Sequence, residues 1–193
     1  QYALLRDQFR HRFPEAQSKS IKKVFLTFGG GSDRGAFKLV VSVLLRKFPE
    51  NIYCITSGVN NPNNRYLKTI CEKHPKCLEL HIGTDRVADL MASCQFGVMA
   101  AGTSTLEAAA LGLPMLLIAI ADNQILPAKS LEKKGGAFFL GELKNVTEER
   151  LENEFLRISV YKKRLQMARN LQKLGVSGEG VVVVSDHVEN LIS

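Results

Sequence analysis

A chain of 193 residues, 45% hydrophobic and 23% charged, has the size and composition of one ordinary globular domain with a full core. Its longest apolar run, residues 113–121, contains a proline and falls far short of the roughly 20 residues of a membrane-crossing helix, so no membrane span is expected. The net charge of +7 is spread over Lys19, Lys22, Lys23, Lys133, Lys134 and Lys162–Arg164 without interleaved aromatics, which reads as a solvated basic face, and no nucleic-acid partner is expected.

The chain opens on Gln1 without an initiator methionine, as a piece of a longer protein would, and no signal-peptide pattern is read there. Residues Gln1–Arg12 read as a helix ahead of the domain, joined to it by the polar linker Pro14–Ser20. Residues 1–20 are therefore expected to be an interdomain helix and linker, and residues 21–193 the domain itself. Lys23–Phe28 (KVFLTF) is a predicted strand, Gly29–Gly31 breaks it, and Ala36–Phe48 carries apolar residues at helical spacing. Next come a strand over Ile52–Thr56, the turn-rich SGVNNPNN, a helix over Arg65–Lys73 and a strand over Cys77–Ile82. A short helix over Asp85–Ser93, capped by Thr84, precedes the strand Phe96–Ala100. The helix Ser104–Leu111, the strand Met115–Ile120, a helix over Gln124–Lys134 and an edge strand Ala137–Leu140 follow, and Thr147–Ser193 reads as helices broken at Gly175–Gly180.

Strand–helix alternation repeated this often specifies an α/β fold: a Rossmann-like three-layer domain with a parallel sheet of about six strands. The four cysteines, Cys54, Cys71, Cys77 and Cys94, lack metal-ligand spacing and are expected to be free thiols in a cytoplasmic protein, with no metal and no cofactor.

In such a sheet, ligands bind beyond the carboxyl ends of the strands. The segments expected there are Gly29–Asp33, Ser57–Asn61, Gly83–Asp85, Ala101–Thr105 and Ala121–Gln124, all small or polar. They hold no nucleophile–base pair, metal cluster or paired carboxylates. Gly29, Gly30, Gly31 and Ser32 follow a strand and precede a helix, where backbone amides can approach a phosphate. The dinucleotide fingerprint fails at Arg34, and no Walker lysine is present. Gly102, Thr103, Ser104 and Thr105 form a second helix entry rich in hydroxyls. There Glu107 has two open readings, a capping box with Ser104 or a carboxylate for two ribose hydroxyls. Asp122 is read as a helix cap or, with Asn123 and Gln124, as a set of groups for sugar hydroxyls. His81, at a strand end, is either a packed residue or a base.

Three stretches, TFGGGSD (27–33), ADLMASCQFGVMAAGTSTLEAAALGLP (88–114) and IADNQ (120–124), resemble the C-terminal half of GT-B nucleotide-sugar enzymes. Within these the chain is most similar to the UDP-sugar hydrolase family of pseudaminic acid biosynthesis. It is more distantly similar to the GlcNAc transferase family of lipid II synthesis. YALLRDQF (2–9) resembles the segment joining the two domains of the hydrolases.

The resemblance implies that Gly29–Ser32 and Gly102–Thr105 hold a diphosphate and that His81, Ile82, Gly83 and Thr84 border the uracil. It also implies that Glu107 holds the ribose and that Asn123 and Gln124 face the sugar. The implied ligand is a UDP-sugar and the implied partner an N-terminal domain or subunit carrying a Gly-x-Gly-His motif, which this chain lacks. Leu106 stands where that family often has tryptophan, and Gly31 is an additional glycine. The expected function is UDP-sugar binding in a hydrolase that releases UDP from an amino-deoxy sugar. The competing expectations are the donor-binding domain of a GT-B glycosyltransferase, a free-standing nucleotide-sugar-binding module and an NAD-binding fragment.

Overall fold

The computed structural model describes residues 5–9, 17–176, 184–185 and 187–189. Six parallel strands form one sheet in the order β3-β2-β1-β4-β5-β6, with β1 Lys23–Thr27, β2 Ile52–Ser57, β3 Leu78–Ile82, β4 Phe96–Ala100, β5 Met115–Ala119 and β6 Ala137–Glu142. The chain builds outward from β1 to β3, then returns to lay β4 on the other side of β1. That reversal leaves a gap above β1 and β4 which neither set of crossovers covers.

Strand alternation explains the layers. Val24, Leu26, Tyr53, Ile55, Phe96, Val98, Leu116 and Ile118 point to one face, under α1 (Ala36–Lys47), α2 (Asn64–Lys73) and α6 (Glu148–Ser159). Phe25, Cys54, Met99, Met115 and Leu117 point to the other, under α3 (Val87–Ala92), α4 (Ser104–Ala110) and α5 (Ile125–Lys133). Helix α7 (Tyr161–Gln172) contributes Met167 to the first core and Leu171 to the second, so it packs on both.

β4 matches its predicted bounds, and the other strands differ from theirs by one or two residues. Two helix starts are corrected. The helix expected from Asp85 begins at Val87, because the Thr84 hydroxyl accepts the Arg86 amide at 3.1 Å in a side-chain turn and does not cap the helix. The helix expected from Gln124 begins at Ile125, behind a 3-10 turn over Asp122–Gln124. Of the expected Gln1–Arg12 helix, the described part is a 3-10 turn, Asp7–Phe9, docked by buried Leu5 and Phe9 on the second core. The rest of that helix, and residues 177–180 of the expected glycine break, lie outside the described residues.

Candidate functional site

The gap above the sheet is a crevice of about 430 Å³. The ends of β1 and β2 bring Thr27, Gly29, Gly30, Thr56, Ser57 and Gly58 to it; the turn after β3 brings Gly83 and Thr84; the entry to α4 brings Thr103, Ser104 and Glu107. Val87 and Met91 of α3 supply an apolar side. Seven residues expected at a ligand site on sequence grounds, Gly29, Gly30, Gly83, Thr84, Thr103, Ser104 and Glu107, thus share one cavity. Gly31 and Ser32 are exposed and do not line it. Gly102, Thr105, Asn123 and Gln124 line a neighbouring cavity of about 610 Å³ between α4 and α5, and Thr103 is common to both.

Gly29 has φ +90°, a conformation that L side chains rarely adopt, and it turns the chain out of β1. The loop it opens does not offer its helix to an anion. Asp33 takes the first amides of α1 for itself, Gly35 N through its carboxylate at 2.6 Å and Ala36 N through its carbonyl at 2.9 Å. Asp33 is fully buried and also accepts from Asn63 Nδ2 at 2.8 Å and Asn61 Nδ2 at 2.9 Å. Asn61 donates further to Ser57 Oγ, and Ser57 Oγ donates to Asn64 Oδ1. Asp33, Ser57 and Asn61, read from sequence as wall groups for a ligand, are bonded to one another.

Glu107 takes up a partner that neither sequence reading named. No capping box forms: the α4 entry has no side-chain cap, and Thr105 Oγ1 donates instead to Gly102 O at 2.7 Å. The Glu107 carboxylate, largely buried, is held by both arms of Arg6, Nε to Oε1 at 2.6 Å and Nη2 to Oε2 at 2.9 Å. Arg6 is half-exposed, lines the crevice, and is the cation of its described lining. Sequence reasoning missed it, since 101 positions separate the pair and nothing local to Arg6 marks it.

His81 and Ile82 do not line the crevice. The His81 side chain lies beside those of Cys54 and Glu79, with one ring nitrogen within 4.8 Å of the Cys54 sulfur and a Glu79 oxygen. Both oxygens of Glu79 accept from Lys23 Nζ, at 2.8 and 2.9 Å, and that contact raises the Lys23 pKa. Glu79 is thus already paired with an internal cation, and His81 Nε2 is buried with no hydrogen-bond partner among the described residues. Gln124 Oε1 accepts Ile120 N at 3.0 Å, which ties the 3-10 turn to the end of β5.

The lipid-A-disaccharide synthetase family model matches residues 16–122, more than half of the chain and the whole stretch from β1 through the crevice to the end of β5. The chain belongs to the lipid-A-disaccharide synthetase family. It is also 26% identical to the spore coat polysaccharide biosynthesis protein SpsG of Bacillus subtilis (strain 168), over 98% of this chain and 57% of that protein. Among solved structures, Acinetobacter baumannii MurG superposes with a TM-score of 0.71 at 17% identity, covering 90% of this chain and 51% of MurG. The spinosyn rhamnosyltransferase SpnG, complexed with thymidine diphosphate, gives 0.64 at 12% identity, over 89% and 46% of the two chains. The fold of this lipid-A-disaccharide synthetase family member is therefore that of GT-B glycosyltransferases, and the chain spans about half the length of these relatives. Among the described residues, no helix is long and apolar enough to cross a membrane.

Proposed function

We propose that this chain is the nucleotide-sugar-binding half of a two-domain GT-B glycosyltransferase. The observation that carries the proposal is the switch-point crevice, in which two small-residue loops converge on one buried carboxylate, Glu107. In this reading a nucleoside diphosphate lies across it. The amides of Gly29 and Gly30 approach the phosphates from one loop, with Gly31 and Ser32 at the rim. Thr103 and Ser104 meet them from the other, backed by Gly102 and Thr105. Glu107 accepts from the ribose hydroxyls, with Arg6 fixing its orientation. The nucleobase lies along Gly83, Thr84, Val87 and Met91, and His81 and Ile82 act only by carrying that turn. The sugar projects over Thr103 toward Asn123 and Gln124.

In the transfer itself, an acceptor hydroxyl forms a bond to the anomeric carbon, the bond from that carbon to the diphosphate breaks, and the hydroxyl proton passes to a base. The described crevice holds no such base, because its one carboxylate is paired with Arg6. The base and the acceptor site are assigned to the half of the protein outside residues 21–193, with residues 1–20 as the connection. This chain contributes stabilisation of the departing diphosphate by amides and hydroxyls. Hydrolysis of a UDP-sugar, as in pseudaminic acid biosynthesis, is the second reading. It differs only in using water as acceptor and is favoured by the TFGGGSD and GTSTLEAAALGLP motifs. Transfer is preferred because the family is named a synthetase and the neighbour SpnG a rhamnosyltransferase.

Calorimetric titration of the chain with UDP, dTDP, UMP and NAD tests the common core of both readings. A nucleoside diphosphate is expected to bind more tightly than UMP. Glu107→Gln is expected to weaken that binding about tenfold or more, the loss of hydrogen bonds to a charged group. Binding of NAD alone, or a diphosphate affinity indifferent to Glu107→Gln, would overturn the proposal.

A further inference from the structure

We infer that Asp33 is a positioning residue of the crevice: without touching the ligand, it locks the glycine-rich loop after β1 to the asparagine-rich loop after β2 and so fixes the wall that meets the diphosphate. The inference rests on the reading of the crevice as a nucleoside-diphosphate site.

A buried carboxylate beside an anion-binding loop is unfavourable twice over, through lost hydration and through repulsion of the ligand. It is tolerable only where donors surround it. Asp33 has three: Gly35 N from its own loop, and Asn61 Nδ2 and Asn63 Nδ2 from the other, at 2.6, 2.9 and 2.8 Å. Its carboxylate has no exposure to solvent and does not line the cavity. The carboxylate is therefore spent on joining two loops.

The joint has consequences at the cavity surface. Where the loops touch, a Cβ on Gly58 would lie 1.9 Å from Gly30 O, so the backbones meet with no room for a side chain. Gly30 and Gly58 both line the crevice. Ser57, on the same wall, is held by Asn61, the residue that Asp33 grips. The wall from Gly29 to Gly58 is one hydrogen-bonded body with Asp33 at its hub. Amides act on a charged ligand only when aimed in advance, and a shift of about 1 Å is enough to lose that aim.

The test is titration of the chain with UDP and UMP for wild type, Asp33→Asn, and Asp33→Asn combined with Asn61→Asp, with thermal melts alongside. Asp33→Asn turns an amide against the Asn61 amide. It is expected to weaken UDP about tenfold while UMP weakens less, so that the preference for the diphosphate shrinks. The double variant restores a carboxylate–amide pair with its members exchanged and is expected to recover most of the UDP affinity. Asn63→Ala, which removes one donor from a half-buried position, carries the same prediction in milder form should Asp33→Asn fail to fold. An unchanged UDP-to-UMP preference in these variants, equal losses for both ligands, or no recovery in the double variant would each overturn the inference. Wild-type protein that binds neither nucleotide would instead overturn the functional reading beneath it.

Discussion

At the scale of single residues, the crevice depends on positions whose chemistry is plain in the sequence but whose partners are not. Gly58 sits in a turn-rich stretch, and nothing local separates it from any loop glycine. Only the approach of Gly30, one crossover away, makes it obligatory. Gly58→Ala is expected to cost about 1–3 kcal/mol, the usual penalty for forcing extra volume into a packed site, and to weaken nucleotide binding by separating the two loops. Denaturant unfolding and calorimetry measure the two effects; a variant with wild-type values in both would mean that the loops are free to part. Glu107 shows the same division. Its place one turn into a hydroxyl-rich helix entry identifies it as a candidate, yet its partner in the fold is Arg6, which arrives from a segment with no local signal.

At the scale of elements, α7 is tied to the start of the domain by one buried charge. Arg164 is fully buried, and burial lowers its pKa. Its guanidinium donates to the carbonyls of Ile158 and Ser159 at the α6–α7 corner, and to those of Ser18 and Lys19 just ahead of β1. The corner and the entry segment are thereby stapled together. Arg164→Met keeps much of the volume and leaves four carbonyls short of a donor. The expected loss is about 3 kcal/mol, read as a lower midpoint in urea with little change in slope. A midpoint equal to wild type would assign the staple to packing alone. From the sequence, Arg164 belongs to a basic run on a late helix and reads as solvent-facing; the extended break at Val160 between α6 and α7 is what carries it inward.

At the scale of the whole molecule, burial of titrating groups gives stability a definite alkaline limit. Burial pushes the Tyr53 phenol above its ordinary 10.0, and it pushes the Cys71 thiol from 9.0 up to about 11. The folded chain keeps these protons at pH values where the unfolded chain has released them, so stability falls as pH rises past the unfolded values. Lys23 acts in the same direction. Its pKa is raised by Glu79, so its contribution is complete below the unfolded value of 10.5 and fades as pH passes the folded one. Melting temperature is therefore expected to decline from about pH 9 upward. Tyr53→Phe is expected to flatten the decline above pH 10, although it loses the bond to Phe48 O. Parallel declines in variant and wild type would remove Tyr53 from this account.

The fold class, the order of the elements and the existence of a crevice are legible in the amino-acid sequence alone. Periods of two and of 3.6 residues depend only on neighbours along the chain, and a parallel sheet with right-handed crossovers leaves few other ways to bury them. That is why Phe96–Ala100 is correct to the residue and why seven of the expected ligand-site residues meet in one cavity. Tertiary structure decided which polar groups remain free to meet a ligand. Asp33, Ser57, Asn61 and Asn63 are as polar as Thr103 and Ser104 and stand equally near strand ends. A hydrogen bond to a distant loop consumes a side chain without leaving a mark in its own neighbourhood. Satisfaction of a donor or acceptor is a property of pairs of residues, and the pairs that shape this site are separated by as many as 101 positions in the chain.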